Sequence, residues 1–451
     1  MGGYKSYHEY KSTDLPWVPE IPAGWHVRKL THAISYQVGF TPESGNAEYY
    51  GDDYLWANIS DLGPKVLANT SKGITEEAIV KYKKRPAKKG SLLYSFKLSV
   101  GQVSFAGQDV FTNEAIASFG GSEHVDLSYF YFLAPIAIIQ NASENIYGAK
   151  ILNQEAIGAA KILVPPMEEQ RKIAEFLDYK TAQVDALIAK KQSLLNKLAE
   201  QRTALISQAV TKGLDPSVAT KDSGAAWLGK IPAHWSTSRV KFVAKVGNGS
   251  TPSRDNPDYW FDGDFPWLNS SVVNREVVDS ADQFVTGVAL KECHLPIIEP
   301  PAVLVGITGQ GKTRGMSSKL TFRATINQHL VYVKPYGDSI NVDYLHHIFE
   351  RAYAYLRNES DAGGSTKGAI TCSQIENLAI PLPPLAEQEQ IVRFVDGDYS
   401  RISRLQKKVK AALQRLQEYR AALITNAVTG KIDVRDFCIP TTTEQREVAH
   451  G

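Results

Sequence analysis

One stretch of the chain carries a spelling that phosphate chemistry uses. Residues 306–313, Gly-Ile-Thr-Gly-Gln-Gly-Lys-Thr, fit the phosphate-loop pattern G-x-x-x-x-G-K-[ST], and the apolar run Ala302-Val-Leu-Val305 leads into them. In a nucleotide hydrolase that loop runs straight into a helix whose N-terminal amides cradle the phosphates. A second strand then ends in an acidic residue that holds magnesium. Here Arg314-Gly315-Met-Ser-Ser follows, then the β-leaning Leu320-Thr-Phe-Arg. Neither an amphipathic helix nor an acid-ended apolar strand comes after the loop. The corresponding stretch of the first half, Ser91 to Val103, lacks the pattern. Phosphate contact by Lys312 and Arg314 remains available to the loop; a P-loop ATPase with a coiled-coil arm is the alternative.

A second spelling, Asn256-Pro257-Asp258-Tyr259, is one proline short of the N-P-P-[YFW] loop of amino-methyltransferases. Val246-Gly-Asn-Gly249 is only faintly like the F-x-G-x-G cofactor turn such an enzyme also needs. Among the histidines, His346-His347 sits in an apolar helical stretch, 342–356, and reads as a packing or surface pair. Asp126 and Asp343 open corresponding helices and read as N-caps. Cys293, Cys372 and Cys438 lie far apart, with no CxxC pair and no metal spacing. That predicts a reducing, cytoplasmic setting with no disulfide framework and no zinc site. No catalytic residue and no bound metal or cofactor is expected on this chain.

Binding chemistry is better represented. Lys81-Tyr-Lys83-Lys84-Arg85-Pro-Ala-Lys88-Lys89 is followed by Tyr94, Phe96 and Lys97, with no acidic residue from 81 to 97. Basic side chains interleaved with aromatics suit phosphate contacts beside base or sugar contacts. A solvated basic loop is the plainer alternative. Later come Gly247-Asn-Gly-Ser-Thr-Pro-Ser-Arg254, Tyr259, Trp260, Trp267 and Asn269. Arg and Asn pair bidentately with guanine and adenine edges, and Gly-rich loops with Lys hold phosphates. Ordinary turns around a sheet would carry many of the same residues. Over the whole chain the formal net charge is only +2, so local charge must do any nucleic-acid binding.

The elements that would position these residues come in two copies. Trp17-Val-Pro-Glu-Ile-Pro-Ala-Gly-Trp25 returns as Trp227-Leu-Gly-Lys-Ile-Pro-Ala-His-Trp235. Residues 112–119 match 326–333, and Val125-Asp126 matches Val342-Asp343. Pro165-Pro166-Met-Glu-Glu169-Gln170 returns as Pro383-Pro384-Leu-Ala-Glu387-Gln388, and the match continues to 209–215 and 427–433. Four blocks in one order describe a duplicated unit with insertions in the second copy. Each unit holds a Gly- and aromatic-rich part that mixes strands and helices, then a long helix.

Each Pro-Pro step suits a helix start. Ile173, Leu177, Val184, Leu187, Leu194, Leu198 and Leu205 follow the first in alternating steps of four and three. Ile391, Val395, Ile402, Leu405, Val409, Leu416 and Leu423 follow the second. Such a seam predicts a coiled coil. Each helix is expected to run about 40–45 residues, or roughly 60–65 Å. Pairing the two antiparallel buries both seams; docking each on its own globular part is the alternative. The fold class is therefore α+β: two globular α/β domains joined by two long antiparallel helices with an internal pseudo-two-fold repeat. Expected divisions are an N-terminal arm at 1–13, globular parts at 14–164 and 216–382, helices at 165–215 and 383–433, and a disordered tail at 434–451. No run of 18 or more apolar residues occurs, and Met1 to Lys11 has no apolar core, so neither membrane nor secretion is expected.

Two Ile-Pro-x-x-Trp steps, two P-P-x-x-E-Q steps and two heptad helices around variable globular parts resemble the specificity subunit of type I restriction–modification systems. The resemblance covers roughly residues 14–435. It implies that each globular part is a target recognition domain reading one half of a bipartite site in double-stranded DNA. It implies that the helices act as spacer and docking surface for two methyltransferase subunits, joined by restriction–translocase subunits. S-adenosylmethionine, ATP and magnesium would then belong to those partners. A coiled-coil scaffold that binds no DNA is the remaining alternative.

Overall fold

The computed structural model describes residues 4–97, 99–144, 150–309, 311–362 and 368–439. The chain forms two compact units, one taking Met1–Lys191 and Ala411–Gly451, the other Gln192–Lys410.

In the first unit a five-stranded sheet is built from β1 (Tyr36–Val38), β2 (Val66–Leu67), β3 (Leu92–Ser95), β4 (Val103–Ala106) and β5 (Ile116–Phe119), in the order β1-β5-β3-β4-β2. All pairings are antiparallel except β2 with β4. In the second unit β6 (Ala244–Asn248), β7 (Val277–Val278), β8 (Ala302–Gly306), β9 (Ser317–Leu320) and β10 (Leu330–Pro335) take the order β6-β10-β8-β9-β7. Again only the edge pair, β7 with β9, is parallel. The three-stranded sheets correspond as well, Phe111–Thr112 with Tyr50–Ala57 and Lys72–Ile74 in one, Thr325–Ile326 with Phe265–Leu268 and Phe284–Val285 in the other. The central strands β3 and β8 are buried along their whole length, as their unbroken apolar or small residues require.

Each five-stranded sheet packs on a helix, α1 (Leu127–Ala137) in the first unit and α3 (Val342–Ala362) in the second. Asp126 caps α1 through the amides of Ser128 and Tyr129. In the second copy Asn341 makes the equivalent bonds, to Asp343 and Tyr344. The expectation that Asp343 caps its helix is corrected: its carboxylate pairs with Lys319 at 2.9 Å. Tyr129 and Tyr344 are then the equivalent residues. Both are buried, and both donate to a carbonyl just before the following long helix (Leu163 or Pro381) and to one at the end of the other long helix (Val428 or Val210).

The long helices are α2 (Met167–Lys212) and α4 (Leu385–Val428), 46 and 44 residues long. The start of α2 packs with the end of α4 in the core of the first unit, through Ile173, Ala174, Phe176 and Leu177 against Leu423, Ala427 and Val428. In the second unit Ile206, Ala209 and Val210 share a core with Ile391 and Val395. The helices are therefore antiparallel within each unit. Val184, Leu198, Ile402 and Val409 are buried, and Leu205 and Leu416 are half-buried. Leu187, Leu194 and Leu405 are 40–46% exposed. The seam is tight where a globular part flanks it and open at these three leucines.

Gln170 and Gln388 explain the P-P-x-x-E-Q spelling. Both are buried. Gln170 donates to the carbonyls of Pro165 and His124 and accepts from the amide of Asp126. Gln388 donates to Pro383 and accepts from Asn341. Each glutamine ties a long-helix start to the capping residue of the sheet-packed helix. Glu169 accepts from the Trp25 indole and the Tyr7 hydroxyl, which links the motif to the Ile-Pro-x-x-Trp step. Glu387 reaches His234, beside Trp235, at 2.9 Å. Gly430 and Gly213, at φ +71° and +74°, end the helices against Pro22-Trp25 and Pro232-Trp235. A Cβ at Gly430 would lie 2.4 Å from the Pro22 ring, so close approach adds to the left-handed geometry in requiring glycine.

Tyr7 is buried and Lys5 bridges Asp433, so the N-terminal segment is built into the first unit. At the start of the expected tail Val434 is buried, and Phe437 meets Phe176 edge-on at 5.0 Å. Residues 440–451 of that tail lie outside the described residues. Among the described residues no helix is long and apolar enough to cross a membrane.

Candidate nucleic-acid interface

The phosphate-loop spelling is a hairpin. Residues 307–316 connect β8 to β9, and Val305 faces Ser317 across the ladder. Gly306 exchanges backbone hydrogen bonds with Met316 and Gly315, which closes the loop on itself. Among the described residues no helix N-terminus stands there to receive a phosphate. Tyr353 and Arg357 of α3 hold the loop by its carbonyls, at Lys312, Gly311 and Arg314. Lys312 is exposed. Arg314 is 5% exposed, and its guanidinium donates to Asp361 at 2.7 Å. The suggested phosphate contact thus keeps Lys312 and loses Arg314, whose fork faces inward. The hairpin between β3 and β4 is its counterpart and carries the exposed Lys97, 3.7 Å from Glu114.

The methyltransferase-like spelling is likewise a turn. Asn256 caps the 3₁₀ turn Pro257–Tyr259 through the amide of Asp258. Asn46 caps Ala47–Tyr49 in the same way through Glu48. Thr41-Pro42 through Tyr49 and Thr251-Pro252 through Tyr259 are one repeated element. Asn269 belongs to the same pattern. Its side-chain oxygen accepts from the Ser271 amide, as Asn58 does from Ser60. A committed acceptor is poorly placed for bidentate reading of adenine. Trp267 is core, donating to the Ser250 carbonyl as Trp56 does to Phe40.

In the first unit the basic segment starts on the helix Glu76–Tyr82, which Thr75 caps. Lys83 ends it in the left-handed conformation at φ 49°. Lys83, Lys84, Arg85 and Lys89 are exposed and make no ion pair with any described residue. Lys88 pairs with Asp109 at 2.7 Å and holds that carboxyl below its usual range. Lys81 donates to the Tyr49 hydroxyl at 2.6 Å, a bond that raises its pKa, and lies 4.8 Å from the centre of the same ring. Tyr94 is not part of any surface. It is fully buried in β3, its hydroxyl finds no partner among the described residues, and burial pushes its pKa up. In a strand buried on both faces, sequence position near a basic run says nothing about exposure.

In the second unit Arg254 is exposed and stacked. Its guanidinium carbon lies 3.8 Å from the Trp260 ring centre and 5.1 Å from that of Trp267, and it donates to Gln283 at 2.8 Å. Trp260 is itself held by its indole bond to the Ser253 carbonyl. Tyr259 donates to Glu292 at 3.0 Å. An arginine fixed on an indole face has little rotamer freedom left to lose on binding. Sequence reading missed Gln283, which only the turn between sheet strands brings to Arg254.

Comparison with known proteins places these features in a family. The model of the type I restriction modification DNA specificity domain matches residues 22–197 and again residues 232–415. The specificity subunit of the type I restriction enzyme EcoR124I/EcoR124II of Escherichia coli is 28% identical over 156 residues, 34% of this chain and 38% of that protein. A putative type I restriction enzyme MjaX specificity subunit of Methanocaldococcus jannaschii is 22% identical over 94% of this chain and 97% of its own length. Among solved structures, a chain from work on complex assembly and conformational transition of the type I R-M system superposes with a TM-score of 0.69 at 16% identity. That match covers 91% of this chain and 99% of the other, and it bears on the fold.

Proposed function

The chain belongs to the type I restriction–modification DNA specificity family, and on that premise we propose that it is the sequence-reading subunit of such a system. Each globular part, 14–164 and 216–382, takes one half of a bipartite target in double-stranded DNA. The long helices, 165–215 and 383–433, set the gap between the halves and offer docking surface to two methyltransferase subunits, with the exposed leucines 187, 194 and 405 as apolar contacts. Restriction–translocase subunits complete the assembly. The chain itself is not a catalyst. S-adenosylmethionine belongs to the methyltransferase partners, ATP and magnesium to the translocase.

The observation that carries this reading is the repetition of one sheet topology with different exposed side chains. Phosphate contacts position a protein on the duplex, and base edges specify sequence. In the first copy Lys83, Lys84, Arg85 and Lys89 supply phosphate contacts. In the second, Arg254 on its indole platform has the planar fork that guanine O6 and N7 accept. The nucleotide-hydrolase alternative lacks its helix, since Gly306–Thr313 turns back as a hairpin.

The decisive experiment maps methylated adenines in DNA from cells that carry the full system. The expected motif has two specified parts separated by a fixed gap. Replacing residues 14–164 by the first globular part of another specificity subunit is expected to change one part alone. A continuous motif, or a motif unaffected by the exchange, would overturn the reading.

A further inference from the structure

The second unit contains a nitrogen–oxygen cluster that DNA reading does not use. His346, His347 and Glu350 occupy one turn of α3, and their ligand atoms lie within 4.8 Å of one another. Both histidine side chains are 1–2% exposed. One carboxylate oxygen of Glu350 lies 2.9 Å from His347 Nδ1 and 3.9 Å from His346 Nδ1. Its other oxygen is held by Arg202.

The remaining ring nitrogens are anchored from outside. His346 Nε2 faces the Ser317 carbonyl at 3.3 Å, and His347 Nε2 faces Asp396 at 3.2 Å. A carbonyl accepts only, so His346 carries its proton on Nε2 and presents a lone pair at Nδ1. That Nδ1 is buried with no hydrogen-bond partner. His346 Nδ1 is thus a buried acceptor with no partner among the described residues, 3.9 Å from a Glu350 oxygen that also lies within hydrogen-bond reach of His347 Nδ1.

We propose that His346 Nδ1, His347 Nδ1 and Glu350 bind a divalent transition cation, with zinc the best match. Tetrahedral zinc with bonds of about 2.0–2.1 Å puts its ligand atoms roughly 3.3 Å apart, between the 2.9 and 3.9 Å that separate Glu350 from the two Nδ1 atoms. Imidazole and carboxylate together select zinc, cobalt or nickel over magnesium or calcium. The outer contacts are those of a built site: a histidine backed by a carbonyl, another by a carboxylate, and a ligating carboxylate oriented by an arginine. A pocket of about 190 Å³ lined by Arg202, Glu350, Arg351 and Gln406 opens beside Glu350 and gives the ion a path. The ion would lock α3, which packs on the sheet, to Asp396 of α4 and Arg202 of α2 without taking part in catalysis. At the equivalent places the first unit has Tyr131, Phe132 and Pro135, so one ion per chain is expected.

The test uses the full chain, stripped with a chelator and dialysed against zinc or cobalt. Elemental analysis is expected to return one zinc per chain, and cobalt to give the intense visible absorption of tetrahedral nitrogen–oxygen coordination. Zinc at a hundredfold excess over Kd is expected to raise Tm by roughly 5–10 °C. Glu350→Gln and His346→Gln are expected to weaken binding at least tenfold, whereas Cys372→Ser leaves it unchanged. Wild-type protein that retains no zinc and gives no cobalt spectrum overturns the proposal, and that result needs no variant to fold. Undiminished binding in the double variant Glu350→Gln/His346→Gln, or loss of binding in Cys372→Ser, overturns it as well.

Discussion

Lys81–Lys89 of the first unit and Glu292–Pro300 of the second pass through the same backbone stations. A threonine, Thr75 or Thr286, caps the short helix before each. Lys83, directly after the first helix, and His294, two residues past the end of the second, both stand at φ 49°. Ala87 bridges Val110 in one copy, and Ile298 bridges Ala324 in the other. Yet the first segment is basic and the second is acidic and apolar. The inversion is sharpest beside one conserved anchor within the chain: Tyr49 accepts a hydrogen bond from Lys81, whereas its counterpart Tyr259 donates one to Glu292. A phenol serves either charge because its hydroxyl both donates and accepts. The same frame can thus carry opposite fields: the hairpin lysines Lys97 and Lys312 are common to both copies, whereas Arg254 stands where the first copy has Ser44.

The joints behave differently. Gln170 and Gln388 make matching bonds in both copies, buried and out of reach of any ligand. The frame is held by satisfied buried polar groups, which tolerate little change, and the reading surface by exposed ones, which tolerate much.

The largest effect should come from breaking what the copies share. Gln388→Leu leaves the buried Asn341 amide and Pro383 carbonyl unpaired and is expected to cost about 3 kcal/mol, read as a lower urea midpoint. Gln170→Leu, which also frees the His124 carbonyl, should cost at least as much; a clearly smaller loss would mean that the joints are not equivalent. Next comes the triple change Lys83→Gln, Lys84→Gln, Arg85→Gln. DNA binding should weaken on the order of a hundredfold at low salt, with the log–log salt slope shallower by about 2.7. The loss should be the same for cognate and random duplexes. Arg254→Ala is expected to cost about 1–3 kcal/mol of binding to the cognate site and almost nothing on random DNA. Competition assays with each half-site scrambled should place that loss in one half only. The smallest effect tests the inversion itself. Lys81→Glu imitates the second copy, so Tyr49 should turn donor and stability should move by no more than about 0.5 kcal/mol.

Much of this architecture could be read from the residues in order. Repeated blocks located two copies, and Pro-Pro steps with four–three spacing located helices that run to within a few residues of the expected ends. Periodicity and local punctuation are properties of neighbours along the chain, so they survive without coordinates. That Gly306–Thr313 lacks the helix a phosphate loop needs was also legible, because no helix-forming sequence follows the loop; the hairpin itself came from the structure.

What the tertiary structure alone decided depends on residues far apart in sequence. Tyr94 and Arg314 lie in basic or Gly-rich stretches yet face inward, because burial is set by what packs on a strand or loop. The cap at Asn341, two residues ahead of the matching aspartate, needed the bond to Gln388 to reveal it. The compact units are not the sequence repeats either. Each repeat ends with its long helix, but each unit takes the start of one long helix and the end of the other, since an amphipathic seam needs a partner helix to bury it and here that partner runs antiparallel. The His346–His347–Glu350 cluster shows the same limit. Its spacing stood in the sequence, but only packing against Ser317, Asp396 and Arg202 turned three residues on one helix into a set of aimed ligand atoms.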